Sequence, residues 1–260
     1  MSAQGLYHCR LRRDKRLTLP DAAHNVRHNG KETFMSTRTA KHLITVDQLD
    51  VIAKFPPGSR ILMPDVSWEE YQDLLAQLAD NARFRLSYDQ GRLEIMTLSP
   101  RHENIKTLFS HILLVLVEAL DLKLISLGST TFTMPEGIRG TEPDDCFYIR
   151  RADLIEGKET VDLAIDPGPD VVVEVDITHP SLDKFPIYAE LDVLEVWRHD
   201  GEKVTFYYLA NNEYQITPNS TLFPFLSSQT LSEFLQQGKF RDILQMIKAF
   251  RQWVSANKPQ

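Results

Sequence analysis

Cysteine is nearly absent from this chain of 260 residues: only Cys9 and Cys146 occur. Two thiols so far apart in sequence exclude a disulfide framework and a multi-cysteine zinc site, and a reducing cytoplasm is the expected compartment. Long apolar runs are missing too. The longest, Ile112 to Val117, is stopped by Glu118, well short of the roughly 20 residues a membrane-spanning helix needs. No Gly-x-Ser-x-Gly elbow occurs, so Ser-His-Asp hydrolysis has no support, and no glycine loop of the phosphate-cradling kind is present. Internal repeats and low-complexity tracts are likewise absent.

Positive charge is in deficit, with 29 Lys and Arg against 36 Asp and Glu and a formal net charge of −7. The deficit is uneven. Residues 1–34 carry seven basic side chains against three acidic ones, a net +4, which leaves −11 for the remainder. This basic segment has no apolar core or small-residue cleavage site, so it does not read as a secretory signal. It reads either as a disordered basic arm that touches nucleic acid or as a leader from a start assigned upstream of Met35. The second reading is preferred, because sequence organisation begins shortly after Met35. His8, Cys9, His24 and His28 in this segment form too unpatterned a set for zinc. With 42% apolar residues, the rest predicts one main domain over 35–230 and a helical extension over 231–260.

Periodicity places the elements. Ser67 with Glu70 makes a capping box before Tyr71, Leu74, Leu75 and Leu78, which predicts a helix over 68–81. Alternating residues in 84–88 and 92–96 around Asp89-Gln90-Gly91 predict a hairpin. Ser99-Pro100 opens the strongest helical pattern, with Ile105, Leu108, Phe109, Ile112, Leu113, Leu116 and Leu120 on one face. His102 falls on the edge of that face and Glu103 points away from it. Strands are expected over 122–127 and 130–134, then a loop carrying Pro135, Gly137 and Gly140, then a strand beginning after Pro143 and running through 146–149. The run Asp170-Val-Val-Val-Glu174-Val-Asp176 is the clearest strand and reads as central. A short helix over 182–191 follows, then strands over 193–198, 203–209 and 213–216, and a helical end over 231–255. Tyr188 and Trp197 are expected in the core.

Chemistry concentrates in two places. On the strand over 170–176, Asp170, Val172, Glu174 and Asp176 share one face, and a carboxylate in so apolar a run is costly unless a cation, a proton or a donor compensates it. A divalent metal answers that need. Glu142-Pro143-Asp144-Asp145 supplies a second carboxylate at the mouth of a neighbouring strand. Mg²⁺ accepts one or two carboxylates and completes its shell with water and substrate phosphate. Lys184, shortly after the central strand, can reach the same point and stabilise developing charge.

Taken together, Thr141-Glu-Pro-Asp144, Pro169 to Thr178, Lys184 with Tyr188, and Leu194-Glu-Val-Trp197 resemble the putative restriction endonuclease family, of the domain-of-unknown-function type, in the PD-(D/E)XK nuclease superfamily. The resemblance spans about residues 59–215. It implies an α/β fold, restriction-endonuclease-like, with a mixed central sheet flanked by helices, an N-terminal hairpin and C-terminal helices. It further implies Mg²⁺-dependent hydrolysis of DNA phosphodiesters, with Mn²⁺ as a substitute ion. Asp144 and Glu174 are the implied metal ligands, Asp176 an auxiliary ligand, and Lys184 the catalytic lysine. The usual lysine position, two residues after the acid, is occupied by Asp176, so Lys184 stands as a migrated equivalent. His102 is a further candidate for the site, ahead of Glu103.

The acidic body is the main electrostatic obstacle, since phosphate neutralisation supplies most non-specific DNA affinity. Arg83, Arg85, Arg92, Arg101, Lys106, Arg139, Arg150 and Arg151 are the expected local patch, and weak, transient DNA binding is the expected consequence. A homodimer is a further expectation of the resemblance. Two competing functions stay open: a catalytically silent binding or assembly module of the same fold, and a metal-dependent hydrolase of another phosphate ester.

Overall fold

The computed structural model describes residues 49, 51–78, 84–134, 138–177 and 183–259. The basic leader over 1–34, the end of the expected helix over 68–81, Arg83, the loop positions Pro135 and Gly137, and Leu182 at the start of the expected helix over 182–191 lie outside them. Eleven strands and six helices, among them the single turn α3 (Ala152–Ile155), follow one another along the described residues in a mixed α/β arrangement. No helix among them is long and apolar enough to cross a membrane.

Two sheets divide the strands. The larger runs β11-β10-β9-β8-β7-β4, built from β4 (Ile125–Ser126), β7 (Asp145–Tyr148), β8 (Val171–Val175), β9 (Glu195–His199), β10 (Val204–Ala210) and β11 (Glu213–Thr217). Its pairs are antiparallel except β8 with β9, where Val173 faces Trp197 and Glu174 faces Arg198. A parallel pair needs a crossover, and α4 (Phe185–Glu190) provides it with Pro186 in its first turn. The smaller sheet, ordered β1-β3-β2-β6-β5, grows from the expected hairpin β2 (Phe84–Asp89) and β3 (Arg92–Thr97). It adds β1 (Arg60–Met63) on one side and β6 (Arg139–Thr141) with β5 (Phe132–Met134) on the other. The hairpin therefore seeds a second sheet.

Strand β8 is buried on both faces, as its valine run requires. Val171, Val173 and Val175 pack with Trp197 against Phe109, Ile112 and other residues of α2 (Pro100–Leu120). Val172 turns the other way, to Cys146, Val196 and Ile187 and Tyr188 of α4. Each buried valine contributes about 1.5–3 kcal/mol, so this strand is a firm platform for Glu174. Helix α2 begins where proline and a cap coincide: Ser99 Oγ accepts the His102 amide at 3.1 Å, with Pro100 in the first turn. Helix α1 (Trp68–Leu78) starts in the capping box read from sequence, Ser67 and Glu70 exchanging side-chain to backbone bonds of 2.8 and 3.2 Å.

Departures from the sequence reading have local causes. The strand expected over 122–127 is reduced to two residues, because α2 ends in a left-handed cap at Asp121 and its neighbours still follow that turn. Gly140, expected in a loop, lies in β6, where a Cβ would stand 2.3 Å from Tyr71 Oη. Only glycine lets the smaller sheet approach α1 there. The helical end is two helices, α5 (Ser228–Gly238) and α6 (Ile243–Asn257). Gly238 sits against Leu108, Phe240 is left-handed at φ 53°, and Asp242 caps the next helix through the Leu244 amide. Leu231, Phe234, Leu235, Met246, Phe250 and Val254 of these helices share the core of α2 and β8.

Candidate active site

The register of β7 and β8 builds the site. Asp145 pairs with Val173 in antiparallel register, so Asp144 and Glu174, one residue outward on each strand, are neighbours. Both are buried, Asp144 at 1% exposure and Glu174 at 5%. Asp144 is pinned from one side by the Val175 amide, which donates to Oδ2 at 2.7 Å. Its other oxygen, Oδ1, is buried with no hydrogen-bond partner among the described residues.

Lys184 supplies the compensation that a buried Glu174 needs. Its ammonium donates to both Glu174 oxygens, at 3.0 and 2.9 Å, and approaches the Glu142 carbonyl at 3.4 Å. Tyr188 lies one helical turn further on and donates its hydroxyl to Glu174 Oε1. Burial still dominates: it pushes the Glu174 carboxyl up to about 7, with Lys184 pulling it down and the Asp144 and Asp176 charges adding to the rise. Burial lowers the Lys184 ammonium, and the Glu174 and Asp144 charges outweigh that and raise it.

His102, at the start of α2, reaches the second carboxylate. Nε2 stands 2.9 Å from Asp144 Oδ2, in ion-pair range but not aligned for a hydrogen bond. Its Nδ1 is 3.2 Å from Glu103 Oε1. Burial disfavours the imidazolium, yet the Asp144 charge prevails and holds His102 up at about 9. Burial likewise disfavours the Asp144 carboxylate, and His102 reverses this, holding it down at about 2. The structure thus brings Asp144, Glu174, Lys184 and His102 together, with Glu103 one shell further out on the same helix.

Asp176 is placed differently from its sequence expectation. Both of its oxygens face guanidinium groups, Oδ1 taking Arg60 Nη2 at 2.5 Å and Oδ2 taking Arg198 Nε at 2.8 Å. Arg60 also reaches Glu94 at 3.1 Å, so the chain Glu94, Arg60, Asp176 and Arg198 ties the smaller sheet to the larger. A carboxylate gripped in this way is an ion-pair hub beside the site. Asp170, on the same strand face, accepts the Ile149 and Arg151 amides at 2.6 and 3.0 Å and holds that turn. Among the described residues no three His, Cys, Asp or Glu side chains are grouped to hold a metal.

The site nonetheless suits a small divalent cation. Mg²⁺ needs only one or two carboxylates from protein, and the unpartnered Asp144 oxygen beside a crowded Glu174 is the donor set such an ion would relieve. Tyr188 and Arg60 were not among the sequence-derived site residues. The first was detectable in principle from its four-residue spacing from Lys184; Arg60 lies 116 residues from Asp176 in sequence and leaves no local sign.

The expected basic patch is largely spent internally. Arg92 pairs with Asp89, Arg139 with Asp89 and Glu190, Lys106 with Glu103, and Arg151 with Asp192. Arg85 and Arg150 donate to backbone carbonyls.

Comparison with known proteins places this geometry in context. The family model Uma2, described as a putative restriction endonuclease, matches residues 68–240. Among solved structures, the chain is similar to the crystal structure of a putative nuclease belonging to DUF820 from Anabaena variabilis ATCC 29413. The two share 18% identity, with 65% of this chain and 99% of that one covered, at a TM-score of 0.46. No curated protein matches.

Proposed function

The chain belongs to the Uma2 family, and from that premise we propose that it is a Mg²⁺-dependent endonuclease of the PD-(D/E)XK kind that hydrolyses DNA phosphodiester bonds, with Mn²⁺ as a substitute ion. One observation carries the reading: two buried carboxylates, Asp144 and Glu174, stand side by side on adjacent strands, and among the described residues one Asp144 oxygen has no hydrogen-bond partner. These two side chains would hold the ion. When bound, such an ion polarises a phosphoryl oxygen and makes a nucleophile available at neutral pH.

The remaining work falls to protein groups. Lys184 offsets the Glu174 charge and presents an ammonium where negative charge develops on the phosphate. Tyr188, one turn along the same helix, fixes the Glu174 rotamer through Oε1. His102, protonated beside Asp144, keeps that carboxylate ionised near neutral pH and holds it toward the site. Arg60 and Arg198 neutralise Asp176, so that a third carboxylate does not add its full repulsion.

The test is nicking of supercoiled plasmid with and without Mg²⁺. Wild type should nick only with the ion, and Glu174→Gln and Asp144→Asn should each lose at least about 10²–10³-fold in rate. Unchanged nicking by both variants removes the mechanism. One feature favours a second reading, a silent binding module: Lys184 already occupies both Glu174 oxygens. Calorimetric titration with Mn²⁺ separates the two, because a silent module shows no ion binding that Glu174→Gln abolishes.

A further inference from the structure

Two cations converge on one backbone oxygen at the edge of the site. Arg101 Nη2 and Lys239 Nζ each donate to the Gly201 carbonyl, both at 3.1 Å. Arg101 comes from the first turn of α2, directly before His102, and Lys239 from the residue that ends α5. Gly201 turns between β9 and β10 at φ 97°, and a Cβ there would meet Arg101 Nη2 at 3.3 Å and Ile177 at 3.4 Å. Ile177 lies three residues past Glu174, and the His102 ring next to Arg101 in sequence meets Asp144, so the pair borders the proposed metal site.

The arrangement is electrostatically incomplete. Among the described residues no carboxylate makes an ion pair with Arg101 or Lys239, unlike Arg92, Arg139 and Arg151. Glu202 stands in the same turn and is felt by Lys239, but it touches neither cation. Desolvation lowers the Lys239 ammonium, and the Arg101 charge lowers it further. Arg101 is exposed and Lys239 half-buried, so both remain open to a ligand. Like charges held together at one acceptor repel each other, and an anion entering between them relieves that repulsion.

We propose that Arg101 and Lys239 form a phosphate clamp that grips the DNA backbone beside the scissile phosphodiester. The proposal rests on the nuclease reading for the identity of its ligand, and it gives the acidic body a local, two-cation route to a polyanion. Each cation adds one phosphate contact, so the pair should account for about two units of the slope of log K against log salt. The clamp orients the strand; it takes no part in bond breaking.

The experiment is fluorescence anisotropy with a labelled DNA duplex in EDTA, over a series of salt concentrations. R101Q/K239Q should weaken binding about tenfold or more at low salt and reduce the salt slope by about 2. R101K/K239R should restore most of the affinity, and K248Q/R251Q on α6, an equal change of charge elsewhere, should leave the slope within error. Thermal melts of all variants check folding, which these open side chains should leave intact. Wild-type behaviour of R101Q/K239Q, an equal loss in K248Q/R251Q, or no measurable DNA binding by wild type would overturn the clamp. Plasmid nicking keeps the two ideas apart. If wild type fails to nick while the clamp variants still lose affinity, the nuclease reading falls and the clamp stands; if nicking depends on Glu174 but binding ignores Arg101 and Lys239, the reverse holds.

Discussion

Glu174 and Glu195 lie on neighbouring parallel strands, and both are buried, yet their surroundings differ in kind. Glu195 is served entirely by neutral donors: Trp197 Nε1 at 2.7 Å, Ser220 Oγ and the Leu222 amide at 2.8 Å, and the Thr221 amide and hydroxyl. Almost all come from one turn after β11, so this carboxylate folds a loop around itself. Glu174 is met instead by an ammonium and a phenol, beside a second carboxylate with an unused oxygen. A buried acid satisfied by fixed dipoles has every lone pair used, whereas Glu174 is balanced by a side-chain charge that an exchange of partners could replace.

Exchanging acid for amide at the two positions tests that contrast most strongly. Glu195→Gln turns an NH₂ group toward existing donors, and we expect a loss of about 3 kcal/mol, seen as a lower urea midpoint. Glu174→Gln should change stability by no more than about 1 kcal/mol, because the lost attraction to Lys184 is set against relief of repulsion from Asp144 and Asp176. Equal destabilisation by the two amides would erase the distinction. A pH dependence bears on the neighbouring carboxylate. His102 is raised from 6.5 to about 9 in the folded protein, with Asp144 overcoming the cost of burial. The stability from this pairing is therefore complete below about pH 6.5 and lost as pH rises through about 9. His102→Gln should flatten that alkaline limb, read from urea midpoints in EDTA; an unchanged limb would mean that another group causes it.

Much of this was legible because it is local. The valine run fixed the central strand and its two faces, and Ser99-Pro100 with seven apolar residues marked α2 to its last turn. Asp144, Glu174, Lys184 and His102 were each visible by residue type and spacing, and the structure gathers all four. What escaped depends on long-range partners. Strands β1 and β6 carry little pattern of their own and exist by pairing with the hairpin. The engagement of Asp176 required Arg60, far upstream, and the break after Gly238 required contact with Leu108 of another helix. Arginines paired on the surface look the same in sequence as Arg101, which among the described residues has no carboxylate partner.

The salt link from Arg60 to Asp176 also acts as a spacer. Arg60 lies on an edge strand of the small sheet and Asp176 at the tip of the central one, with side chains only 11% and 5% exposed. Sliding the sheets apart would strand both charges, and ions in solution screen a buried pair poorly. The spacing of the two sheets beside Asp144 and Glu174 is thereby held whatever the salt outside.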